Sequence, residues 1–229
     1  DMQGMFFNSL FNQPVNNWDV SSVTNMKSMF SSASDFNQPL DDWDVSSVTD
    51  MGSLFSRTDA FNQDIGNWNT SSVVDMSSMF SYADAFNQDI STKTINAGIN
   101  EEYVAWDVSN VIDMDQMFGF TAIFNQDISN WDVSNVTIME DMFEGTEAFN
   151  QDISGWNVSS VITMEDMFRN SVVFNQAISS WNVSSVTNMD DMFEGANAFN
   201  QDLNGWDVSS VTTMQDMFHD AVVFNGSLS

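Results

Sequence analysis

The sequence predicts an α/β repeat solenoid of about eight to nine coils, with short parallel strands on one side and short helices on the other. The prediction rests on three observations: a motif that returns about every 25 residues, tryptophan confined to one position of that motif, and two hydrophobic periods within each copy. A repeat of this length is typical of solenoids, in which each unit packs only against its neighbours. The phenylalanine that opens the motif stands at Phe11, Phe36, Phe61, Phe86, Phe124, Phe149, Phe174, Phe199 and Phe224.

Each copy follows the consensus F-N-Q-D-I-S-x-W-D-V-S-S-V-T-x-M-x-x-M-F-x-x-A-x-x, whose positions we number 1 to 25. Trp and Val at positions 8 and 10 flank a polar residue, which is the alternation of a strand with one buried face. Val, Met, Met and Phe at positions 13, 16, 19 and 20 have the spacing of one helix face. Thr137 with Glu140, and Thr187 with Asp190, resemble capping boxes at the start of such a helix. We therefore expect strand, turn, short helix and loop in each unit.

Asparagine occupies position 2 in all nine copies, and glutamine follows it in eight. Asn side chains bond readily to nearby backbone groups in turns. We expect this side chain to bond the backbone of the next coil.

The repeats predict a single solenoid domain over residues 1–229, interrupted once. The interruption is a 13-residue insertion at 92–104, "TKTINAGINEEYV", between positions 6 and 7 of one copy. Repeat arrays tolerate such excursions, and binding surfaces often use them. The insertion is therefore either a functional loop or a tolerated bulge.

The consensus resembles the BspA-like leucine-rich-repeat surface proteins over almost the whole chain, from Met2 to Phe224. The resemblance implies a leucine-rich-repeat-like solenoid that is secreted or held at the cell surface. It also implies roles in adhesion and protein binding, and it offers no catalytic residues to carry over. Leu54, at a position where Met is usual, is a departure that conserves apolar volume.

The composition excludes several classes of function. The net charge is −29 and only four residues are basic, so nucleic acid phosphates and anionic lipids are repelled. No run of 18 apolar residues is present, so this segment is not expected to insert into a membrane. The absence of cysteine excludes disulfides and thiolate chemistry.

Two acidic surfaces are the candidate binding sites. Positions 17 and 18 are acidic in the later coils, and neighbouring carboxylates there could bind calcium, although no cofactor is required. The alternative is a solvated surface whose carboxylates lie too far apart for a metal ion. The candidate metal ligands are Glu140, Asp141, Glu165, Asp166, Asp190 and Asp191. Position 9 should face outward from the strand, and its candidate partner-binding residues are Asp19, Asp44, Asp107, Asp132 and Asp207.

These features favour an extracellular or cell-surface interaction module, monomeric, that mediates adhesion or binds a protein or host-matrix ligand through a rigid acidic surface. One alternative is a glycan- or surface-binding module that depends on divalent cations; another is a passive structural spacer. The chain is not expected to be an enzyme, because it has a single histidine, His219, and no catalytic motif.

Overall fold

The 25-residue units stack in register along the chain. The computed structural model describes residues 1–96, 98 and 101–228. Within them, eight full repeat units lie between a partial unit at each end. The junction between two units is a set of backbone hydrogen bonds: the N–H groups of Met26, Ser28 and Phe30 donate to the carbonyls of the next unit at 2.8–3.0 Å. The same bonds recur 25 residues later and continue to the last full unit.

Each unit is a succession of tight turns. In the second unit, the N–H groups of Trp43, Val48, Leu54 and Thr58 donate to the carbonyls three residues earlier. Positions 18 and 22 adopt left-handed conformations in unit after unit, with φ of +56° at both Ser53 and Arg57. Such residues reverse the chain locally and prevent helical hydrogen bonding from continuing.

The predicted α/β architecture is wrong. The part of the chain that the structure describes contains no helix, and its strands are β1 (Lys93–Ile95) and β2 (Tyr103–Ala105), which pair antiparallel. The helix prediction failed because alternate N–H groups of positions 16 to 22 bond to the next unit instead of to the preceding turn. Spacings of three and four residues between buried side chains arise here from consecutive turns.

The predicted strand at positions 8 to 10 is also wrong. Units instead contact through single-residue parallel bridges at position 15, and the intervening residues return to turns. The bridges are Asn25↔Asp50, Asp50↔Asp75, Asp75↔Asp113, Asp113↔Ile138, Ile138↔Thr163, Thr163↔Asn188 and Asn188↔Thr213.

The interior is a set of stacked columns of like side chains. The rings of Phe30, Phe55 and Phe80 lie with centroids 5.8 Å apart and nearly parallel. Six of the eight indoles are buried as expected, whereas Trp18 in the first unit is exposed and Trp206 in the last full unit is only partly buried. The Trp156 indole N–H donates to the Ile128 carbonyl of the preceding unit at 3.1 Å, so that this polar group is satisfied. One apolar core therefore runs the length of the stack.

An amide ladder runs along a second line of the stack. Asn150 Oδ1 accepts from the N–H of Asn175 at 2.9 Å and from Gln176 Nε2 at 3.1 Å. The Asn150 N–H in turn donates to Asn125 Oδ1. The expectation that the position-2 side chain bonds the backbone of the next unit is confirmed.

The insertion forms a hairpin that folds back against the stack. Lys93 pairs with Ala105 and Ile95 with Tyr103. The Tyr103 hydroxyl donates to the Asn67 carbonyl at 2.6 Å, and Thr92 Oγ1 donates to the Trp106 carbonyl at 2.7 Å. Three residues of the predicted insertion, Ala97, Ile99 and Asn100, lie outside the described residues.

Candidate functional site

The position-9 aspartates cap a turn in each unit. Asp44 Oδ1 accepts from the Ser46 N–H at 3.0 Å and from its hydroxyl at 2.6 Å. The same backbone bond to the serine two residues later is made in every full unit, including those where position 9 is Asn. Four of the five candidate partner-binding aspartates, Asp19, Asp44, Asp132 and Asp207, are exposed, and Asp107 is half-buried.

The turn bonds also favour the charged form of two carboxylates in this column. The Ser21 hydroxyl and N–H hold the pKa of Asp19 below its usual value, and Ser209 does the same for Asp207. Hydrogen bonds to a carboxylate favour its charged form. The first and last aspartates of the position-9 column, Asp19 and Asp207, are therefore held in their charged form on these turns.

The second acidic surface, which we call the acidic ridge, consists of Glu140, Asp141, Glu165, Asp166, Asp190 and Asp191. The three position-18 aspartates share a left-handed backbone, with φ of +54° or +55°. Burial is the largest cause that raises the pKa of Asp141 and of Asp166, and the position-18 carboxylate of the next unit raises each further: Asp166 acts on Asp141, and Asp191 acts on Asp166. Burial, and after it the charge of Glu165, likewise raises the pKa of Glu140. The structure therefore brings the ridge residues of neighbouring units together.

Burial perturbs two further carboxylates that sequence reasoning missed. Loss of water, with Asp113 and Asp75 nearby, raises the pKa of Asp115 to about 6. Loss of water, with Asp166 nearby, raises that of Glu144 to about 7, as burial and Glu144 itself do for Asp141. Asp115 stands one unit before Glu140 in the same column. Its position was visible in the sequence, but its partial burial was not.

One basic residue, Arg169, lies beside the acidic ridge. Arg169 Nε is 3.1 Å from Glu194 Oε2, and Arg169 Nη1 is 3.4 Å from Asp166 Oδ1. The paired charges lower the pKa of Asp166 against the larger effect of burial, which raises it. A single guanidinium leaves most of the ridge charge unbalanced.

The residues that the structure describes include no group of three or more acidic or histidine side chains placed to hold a metal ion. The ridge residues occupy two repeat positions in successive units, so they follow one another along the stack. Calcium binding at the six predicted ligands stays a prediction.

Stacked 25-residue units with an apolar interior and acidic outer columns define a repeat protein. Family comparison gives the narrower class: residues 1–101, 93–178 and 152–229 match the DUF285 model, described as a Mycoplasma protein of unknown function. These matches cover the whole chain, and the chain belongs to this family. Comparison with curated proteins and with solved structures gave no match.

The described part of the chain also lacks any helix long and apolar enough to cross a bilayer.

Proposed function

We propose that the chain is an interaction module, rather than an enzyme, that binds a protein or host-matrix partner at the cell surface or outside the cell. The observation that carries the proposal is the position-9 column, in which exposed aspartates recur on the same hydrogen-bonded turn. Many weak contacts to a regular line of charge add up to useful affinity when the partner is also extended. The resemblance to BspA-like surface proteins supports this location and role.

The stack suits such a role because its surface is stiff. Every unit is tied to the next by backbone bonds, by the amide ladder and by the stacked rings. A pre-organised surface loses little conformational entropy on binding. The long acidic face also accelerates encounter with a basic partner through electrostatic steering.

The test is interferometry with the intact monomeric chain against a panel of matrix proteins and cell-wall glycans. We expect binding to a protein that weakens with salt and weakens further when position-9 aspartates are replaced by asparagine. The turn tolerates this change because Asn69, Asn157 and Asn182 already make the same bond. The replaced residues are Asp19, Asp44, Asp107, Asp132 and Asp207.

A matched control changes the same number of charges at position 4. Those residues are Asp64, Asp89, Asp127, Asp152 and Asp202. Equal loss of binding in both variants would reduce the effect to net charge and contradict a position-9 surface. Binding to glycans alone would favour the alternative of a glycan-binding module. The absence of binding to every member of the panel would favour the alternative of a passive structural spacer.

A further inference from the structure

The hairpin β1–β2 makes the repeat surface concave at one place. A cleft of about 430 Å³ lies between the hairpin and the second and third units. Tyr103 and Asn96 form the hairpin side, and Asn67 lies on the side of the stack. The hydrogen bond from the Tyr103 hydroxyl to the Asn67 carbonyl ties the two sides together. The cleft has the size of a small ligand site.

The lining is acidic and has no basic group. Asp41, Asp42, Asp44 and Glu101 supply its carboxylates. Asp41 and Asp42 occupy positions 6 and 7, where none of the seven other full units carries an acid. The paired acids therefore occur only in the unit that the hairpin overhangs.

Part of the acceptor capacity of these carboxylates is free. Asn16 Nδ2 donates to Asp41 Oδ1 at 3.2 Å and to Asp42 Oδ2 at 2.7 Å. Ser46 occupies Asp44 Oδ1. Within the described contacts, the second oxygen of each of these three carboxylates has no partner.

The protein's own cations are engaged elsewhere. Lys27 pairs with Asp75, Lys93 with Asp89 and Arg169 with Asp166 and Glu194. Arg57 lies 4.1 Å from the centre of the Tyr82 ring. The cleft charge is left for a ligand to neutralise.

The placement of the carboxylates and of the Tyr103 ring favours one kind of cation as the ligand of the cleft. These carboxylates are not among any group of three or more described residues placed to hold one metal ion, which favours an extended cation over a compact one. A guanidinium presents several donors in a plane and pairs with carboxylates at more than one edge. Its flat face also packs well on an aromatic ring such as that of Tyr103.

We propose that this cleft binds an arginine-bearing basic peptide segment of a partner protein, an inference that rests on the proposed protein-binding function. The guanidinium enters between the Asp41–Asp42 pair and Asp44, beside Tyr103. The neighbouring asparagines, Asn67 and Asn69, offer bonds to the peptide backbone.

The experiment is a fluorescence-anisotropy titration of the intact chain with a labelled oligoarginine peptide. Three double variants remove two charges each: Asp41→Asn with Asp42→Asn in the cleft, Asp132→Asn with Asp207→Asn in the position-9 column, and Glu140→Gln with Asp141→Asn in the ridge. We expect the cleft pair to weaken binding about tenfold or more, and the two controls less than about twofold. Tyr103→Phe, which keeps the ring and removes the bond to Asn67, should weaken binding with no change in net charge.

Thermal melting of each variant shows that it is folded before it is titrated. Equal weakening in all three double variants, or none in the cleft pair, overturns the inference in favour of a diffuse acidic field. The inference would also be overturned if a protein partner found in the interferometry panel bound the Asp41→Asn, Asp42→Asn variant with the same affinity as the wild type. The proposed function would stand in that case. A silent panel counts against the proposed function, while the peptide titration still reports on the cleft.

Discussion

Individual residues in the left-handed region shape this molecule. Position 22 has φ of +58° at Tyr82 and +60° at Phe120, an unusual conformation for bulky side chains. Stacking offsets part of that strain, since the two rings lie 4.5 Å apart and Arg57 covers the outer face of Tyr82. The next unit has Gly145 at this position, and the Phe120 ring lies directly over it.

Replacing Gly145 by alanine should destabilise the protein by about 1–3 kcal/mol. The new methyl group would lie 2.5 Å from a carbon of the Phe120 ring, and the backbone φ of +62° already disfavours any side chain. Chemical denaturation measures the change in the free energy of unfolding. Gly155→Ala is the control, because its methyl group meets nothing within 4 Å and should leave stability unchanged or slightly higher. Equal effects of the two substitutions would contradict the assigned contact.

At the scale of the repeat unit, the sequence predicted which side chains are buried better than it predicted the backbone. The positions of Trp, Met and Phe followed from their periodic spacing, and so did the amide ladder. The helix and strand could not be distinguished from turns, because consecutive three-residue turns also bring apolar residues together every three or four positions. The left-handed residues that decide the matter, such as Ser53 and Asp141, carry no obligatory glycine signal.

The two parts of the candidate site also differ in how well the sequence predicted them. The outward acidic columns could be predicted, since a repeat position becomes a line on a stack. The cleft was not, because it depends on the direction in which the hairpin folds and on the bond between Tyr103 and Asn67. Contacts between an insertion and distant units have no period in the sequence.

The amide ladder indicates that the Asn150 side chain stabilises the junction between its own unit and the next. Asn150→Ala should cost about 1–2 kcal/mol, because the N–H of Asn175 loses its acceptor and the Gln176 amide loses one of its two. Asn150→Asp keeps the accepting oxygen and should retain most of the stability. Unfolding of both variants by urea tests this. A loss in the aspartate variant as large as that in the alanine variant would show that accepting these bonds is not what Asn150 contributes.

Over the whole molecule, the raised pKa values of the ridge and its neighbours should make stability depend on pH in an unusual direction. Asp141 and Glu144 have pKa values of about 7 and Asp115 of about 6, all above the ordinary value of a carboxyl. Between about pH 4 and 7 the folded protein therefore binds more protons than the unfolded chain, and stability rises as pH falls. We expect Tm to increase on the order of a few degrees from pH 8 to pH 5.

The substitution Asp141→Asn should flatten this dependence, because it removes one of the carboxyls whose pKa is raised by burial. Asp152→Asn is the control. Hydrogen bonds from Ser154 lower the pKa of Asp152 and favour its charged form, so removing this charge should not flatten the dependence of Tm on pH. Thermal melts at the two pH values would show the contrast. A Tm of the wild type that falls on acidification to pH 5 would contradict the raised pKa values of these carboxyls.

Calcium should stabilise the folded protein when the carboxylates of the acidic ridge are ionised. A cation that binds only the folded state raises Tm, and the effect should be larger at pH 8, where the ridge is ionised, than at pH 5, where protons compete. The Glu140→Gln and Asp141→Asn double variant should lose this rise, whereas Asp132→Asn with Asp207→Asn should keep it. Sodium chloride at equal ionic strength separates binding from screening. If sodium raises Tm as much as calcium does, the ridge is only a screened surface, and its six carboxylates are not metal ligands.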